Sequence, residues 1–108
     1  MLHPCAFRPE EHAVFDAKKM AKATLFESPR LMLGLNCFEP GQEHKLHAHP
    51  GLDKIYQVLS GEGVFVLADR ELPMRAGDML VAPEGVPHGI RNTGRERLVV
   101  LAILAPAP

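Results

Sequence analysis

The chain has 108 residues, 46% of them apolar, and its 12 basic and 13 acidic side chains leave a net charge of −1. That length allows one domain around a single core, and the charge offers no basic field for nucleic acid or anionic lipid. No apolar run reaches signal-peptide or membrane-span length, and Cys5 and Cys37 fit neither a disulfide framework nor a C-x-x-C pattern, so a soluble cytoplasmic protein with reduced thiols is expected.

In chain order, residues 9 to 22, "PEEHAVFDAKKMAK", read as a short helix or, equally, as an N-terminal strand. From there the apolar residues recur with period two. "LMLGLNCFEPG" (31 to 41) is a β-type run ending at Pro40-Gly41, and "IYQVLSGEGVFVLADRE" (55 to 71) holds two β-rich runs around Ser60 to Gly63. "LVVLAILAP" (98 to 106) is a buried, β-branched strand, and the tail at 105 to 108, "APAP", should be irregular because proline cannot pair in a central strand. Gly and Pro punctuation at 50–51, 61–63, 76–78, 83–85 and 92–94 divides the chain into many short strands. The fold class is all-β, an antiparallel sandwich or barrel spanning residues 1 to 108 as one domain.

The stretch "HAHPGLDKIYQVLSG" (47 to 61) carries the chemistry. In a strand, residues i and i+2 lie about 6.6 to 6.8 Å apart on one face, which lets the imidazoles of His47 and His49 converge on one ion. With six histidines in the chain, the pair alone reads equally as surface histidines before a Pro-Gly turn. A second stretch, "GDMLVAPEGVPHGIRN", changes the weighing. Gly77, Pro83, Gly85, His88 and Asn92 form the pattern G-x5-P-x-G-x2-H-x3-N, a strand, turn, strand unit that delivers one histidine. By composition such a pattern arises on the order of once in ten thousand chains of this kind.

Together these stretches resemble the cupin superfamily. Gly41, His47, His49 and Gly61 match its first motif, G-x5-H-x-H-x3,4-E-x6-G, over residues 41 to 61, and residues 77 to 92 match the second at every fixed position. The resemblance implies a double-stranded β-helix, a jelly-roll-like barrel with a short N-terminal extension, and a homodimer. It also implies a divalent transition metal (Zn, Fe, Mn, Ni or Cu) held by His47, His49 and His88. One position departs from the motif: Lys54 stands where the family has its glutamate. An ammonium about 4 Å from a divalent ion would be repelled by roughly 8 kcal/mol at an effective dielectric near 20. Lys54 could snorkel to solvent, Asp53 could reach the metal across a bulge as a fourth ligand, or the metal could be absent. Three imidazoles with open positions are also a complete catalytic arrangement for zinc and suit other borderline metals.

Other residues carry weaker signals. His44, three before His47, has the opposite strand parity and reads as a solvated surface histidine, while His3 and His12 show no spacing. Tyr56 is a candidate catalytic orienter or proton donor, or simply a lining aromatic. Phe38, Phe65, Met79, Val81, Ile90 and Ile103 are candidates for barrel lining, and Cys37 reads as a buried inert thiol. Asn92 should hold backbone at a strand end, and Glu62 and Glu84 should be solvated. Two functions follow. One is a metal-dependent enzyme acting on a small anionic organic molecule; the other is a non-catalytic binding or sensing module, metal-free if Lys54 itself contacts the anion.

Overall fold

The structure, a computed structural model, describes residues 4–108; His3 lies outside them. A single 3-10 turn, Pro9–His12, is the only helical element among the described residues, and the strand alternative for the rest of the N-terminal region is realised in part by β1, Ala21–Glu27. Then follow β2 (Met32–Phe38), β3 (Glu43–His47), β4 (Asp53–Ser60), β5 (Glu62–Leu67), β6 (Glu71–Arg75), β7 (Met79–Ala82), β8 (His88–Arg91) and β9 (Leu98–Ala105). The last strand runs to Ala105, one residue into the tail read as irregular, because Ala105 still pairs with Asp53. No described helix is long and apolar enough to cross a membrane.

All pairings are antiparallel. One sheet has the order β1-β2-β9-β4-β7, the other β3-β8-β5-β6. Period-two patterning explains the layering: β4 alternates exposed Asp53 and Ile55 with buried Lys54, Tyr56 and Val58. The inner faces close on a shared core, to which one sheet contributes Phe38, Tyr56, Val58 and Val100 and the other Phe65, Met74 and Ile90. This is the double-stranded β-helix architecture.

Three of the lining candidates, Phe38, Phe65 and Ile90, are core residues, but Met79 and Val81 are 59% and 63% exposed. Strand β7 enters from the Gly77-Asp78 turn in the opposite phase, so Leu80 and Ala82 point inward and Met79 and Val81 outward. Ile103 is likewise on the outer face, paired with Ile55 and Leu33. Cys37 is fully buried on that face with Leu35 and Val99, beneath Ala13 and Phe15 of the N-terminal segment.

Two features of the second motif hold the barrel rim. Gly77 has φ +96°, a conformation that other residues enter only with strain. Asn92 is buried, donates from its amide to the carbonyls of Phe38 and Glu96 at 3.1 and 2.9 Å, and accepts the Gly94 N–H at 3.0 Å. It therefore ties the end of β8 to β2 and to the loop entering β9. Asn92→Ala should cost about 2–4 kcal/mol in urea unfolding, because buried carbonyls lose their donor. Gly77→Ala, which meets open space, should cost only about 1–2 kcal/mol; equal costs would show that Asn92 is not a tie.

Candidate functional site

The site is assembled at one end of the barrel from β3, β4, β8 and the loop after β3. His47 ends β3 and pairs with His88, the first residue of β8, so the two rings meet with centroids 4.4 Å apart. His49 lies beyond the strand end and is exposed, its ring edge-on to His47 at 5.2 Å. The loop carrying it is clasped to the second motif. The Gly85 N–H donates to the His49 carbonyl at 3.1 Å, the Glu84 N–H donates to Asp53 Oδ1 at 2.9 Å, and Glu84 Oε2 accepts the Gly51 N–H. Asp53 is thus exposed and engaged outside the barrel, on the opposite face of β4 from Lys54 and Tyr56.

Lys54 does not snorkel. It is 5% exposed, and its Nζ lies 2.9 Å from His47 Nε2. Alternation along β4 points it inward, between Leu104 and Ala82 on the neighbouring strands. Tyr56, two residues on, places its hydroxyl 3.2 Å from His88 Nε2. The proton positions follow from the carbonyls. His47 Nδ1 is 2.7 Å from the Lys45 carbonyl and His88 Nδ1 is 2.9 Å from that of Val86. Carbonyls only accept, so both Nδ1 atoms carry hydrogen and both Nε2 atoms offer lone pairs. Lys54 and Tyr56 are the donors that take them.

His44 belongs to this cluster, contrary to its strand parity. Between His44 and His47 the pairing of β3 with β8 slips: His44 faces Ile90 and His47 faces His88, so one extra residue enters on β3. The bulge restores His44 to the face of His47, and their rings stack at 4.2 Å. Gly89 makes room for it, since a Cβ there would meet the His44 carbonyl oxygen at 2.6 Å. His44 is half-buried, and its Nδ1 is buried with no hydrogen-bond partner among the described residues.

Burial holds these imidazoles neutral. It pushes His44 down to about 3, assisted by the charges of Lys22 and Lys54, and His47 down to about 4 against the opposing Lys45 carbonyl. His88 is lowered by burial and His49 by desolvation and then by Lys54 and Lys22. Lys54 falls to about 8, again by burial first and then by Lys22. The Tyr56 phenol is raised by burial and stays protonated.

With Lys54 on His47, a metal does not fit this arrangement. A divalent ion on His47 would sit about 2.0–2.1 Å from Nε2 along the lone pair that Lys54 Nζ already takes, so ammonium and ion compete for one position. Among the described residues no group of three or more His, Cys, Asp or Glu is arranged to hold an ion. The alternative fourth ligand, Asp53, is turned away.

A nine-stranded double sheet with histidines from two motifs at one end defines a small barrel with an inward-facing polar site. The chain belongs to the cupin family: the sequence model of the cupin domain matches residues 34–104. It is 35% identical over 88 residues to the oxalate-binding protein of Thermotoga maritima, covering 82% of this chain and 72% of that one. Among solved structures it resembles TT1209 of Thermus thermophilus, with 36% identity and a TM-score of 0.90 over 95% of this chain and 98% of the other. A Thermotoga maritima protein described as a predicted oxalate decarboxylase superposes with a TM-score of 0.76 at 32% identity, over 81% and 80% of the two chains.

Depressed histidine values have a definite consequence for stability. His44 and His47 take up protons near 6.5 when unfolded but only near 3 to 4 when folded, so the unfolded chain binds more protons in between. Their contribution is complete above about pH 6.5 and is lost as pH falls toward 4 for His47 and toward 3 for His44. Urea unfolding should show a loss of about 2 kcal/mol between pH 7 and pH 5, after allowance for solvent screening. His44→Gln should flatten that slope by about half; an unchanged slope would remove His44 from the set.

Proposed function

We propose that the barrel binds a small organic anion directly through Lys54, without requiring a metal. One observation carries this reading: among the described residues, the only hydrogen-bond partner of the buried Lys54 cation is a neutral imidazole. The ion pairs among those residues are Arg91–Glu71 and Arg97–Glu39, both remote from it, and no carboxylate lies within 4 Å of its Nζ. An uncompensated buried charge costs several kcal/mol, and a carboxylate ligand would supply the missing partner. Lys54 N–H groups would then form charge-assisted bonds to the ligand, with Tyr56 and the imidazoles holding the walls. The name of the oxalate-binding relative supports a carboxylate as the anion.

The second reading is a metal-dependent enzyme with the ion on His47, His49 and His88. It is supported by the backbone carbonyls that hold Nδ1 of His47 and His88, the tautomer that a metal-ligating Nε2 needs. It requires Lys54 to leave His47. Elemental analysis after growth with Zn, Fe, Mn, Ni and Cu, together with carboxylate titration by calorimetry, separates the two. The anion reading expects less than about a tenth of an equivalent of metal, and Lys54→Met should abolish binding of acetate and oxalate. Near-stoichiometric metal in the wild-type protein would overturn it in favour of the metal centre.

A homodimer is proposed as well. The outer face of the five-stranded sheet carries an apolar row in register, Phe26, Leu33, Ile103, Ile55 and Val81, one residue from each strand. Ile55 and Val81 are 37% and 63% exposed, and a second copy would cover them. Sedimentation equilibrium at micromolar concentration should give the mass of two chains, and Val81→Lys should give one; a monomeric wild type would rule the dimer out.

A further inference from the structure

Next to Lys54 the barrel contains a cavity of about 70 Å³, roughly two water molecules' share of liquid volume. Its existence is a matter of side-chain size. On the inner face of the larger sheet one row runs Thr24, Gly34, Ala102, Tyr56, with the two smallest side chains at its centre. The space above Gly34 and Ala102 is what the larger neighbours enclose.

The walls of that space are largely apolar, with Met32, Leu35 and Leu104 among them, and the charge they carry is of one sign. The adjacent row places Lys22 opposite Asn36, and the facing strand β3 contributes His44, so Lys22, Asn36, His44, Lys54, Thr24 and Tyr56 line one cavity. No Asp or Glu is among its lining residues. Lys54 is buried at one side, whereas Lys22 is exposed and also lines an outer cleft of about 410 Å³ that shares His44 with the cavity. Lys19 adds a further positive charge to that cleft; Asp16 also lines it, with its Oδ1 engaged by the Lys18 N–H at 2.7 Å. His44 is common to the cavity and the cleft, and its Nδ1 is buried without a partner among the described residues.

We infer that the ligand is a short dianion with a negative group at each end, one received by Lys54 inside the cavity and the other by Lys22 at its mouth. This rests on the reading of Lys54 as an anion anchor and adds what that reading leaves open, a second anchor and a limit on length. Lys22 is the residue that distinguishes two charged ends from one. Gly34 and Ala102 set how much can lie between them.

The test is calorimetric titration at fixed ionic strength with oxalate, malonate and succinate against acetate. In the wild-type protein at least one of the dicarboxylates should bind ten-fold or more tightly than acetate. Lys22→Met, a change at an exposed position, should erase that preference by weakening the dicarboxylates ten-fold or more beyond any change in acetate affinity. Ala102→Val, which fills the cavity without altering charge, should weaken every dicarboxylate, with thermal melts confirming that the variant is folded. If the wild type binds acetate as well as the dicarboxylates, or Lys22→Met weakens both kinds alike or neither, the second anchor is wrong while Lys54 remains one. If no carboxylate binds at all, the reading of Lys54 falls with it.

Discussion

The contact between Lys54 Nζ and His47 Nε2 is the constraint on which the site depends. It is possible only because the Lys45 carbonyl fixes the His47 tautomer with its lone pair inward, and because β4 alternation drives a lysine side chain into the barrel. Once the ammonium is there, the histidines cease to be free ligands and become acceptors. His88 makes the same exchange with Tyr56. Three imidazoles, His44, His47 and His88, that would repel one another and Lys54 if protonated are kept neutral by burial, so the positive charge of the interior is concentrated on a single group.

Much of the scaffold is legible in the residue pattern, because the features that carry it are local. Gly77, Gly85 and Asn92 act through backbone conformation and short-range hydrogen bonds, and their spacing places the turn between β7 and β8 directly. Period-two patterning likewise locates β2, β4 and β9. The failures are those of phase. Counting parity through β3 assigns His44 to the surface, and the count is broken by a bulge that the missing Cβ of Gly89, on another strand, makes room for. Hydrophobicity alone puts Met79 and Val81 inside, although the turn before β7 sets which residue first faces inward.

Lys54 shows a different limit. Its position in the motif is evident from spacing, and so is the conflict with a metal, but the side chain's direction depends on what encloses it. Its Nζ ends on His47 Nε2, a partner that only the fold brings within reach. Lys22 gives no signal at all, since only the pairing of β1 with β2 brings it to the face shared by Asn36 and to the cavity beside Lys54. Residues that meet only through sheet topology are invisible to spacing.

The row that runs Thr24, Gly34, Ala102, Tyr56 has a consequence for how such a pocket can diverge. Capacity is written on β2 and β9, at Gly34 and Ala102, whereas charge is written on β1 and β4, at Lys22 and Lys54. Because the two properties reside on separate strands, either can drift without rebuilding the other. A substitution at Ala102 would change which molecules are small enough while keeping the same attraction, and one at Lys22 would change the attraction within an unaltered mould. A duplicated copy of this chain therefore has two independent routes to a new ligand, each a single residue long.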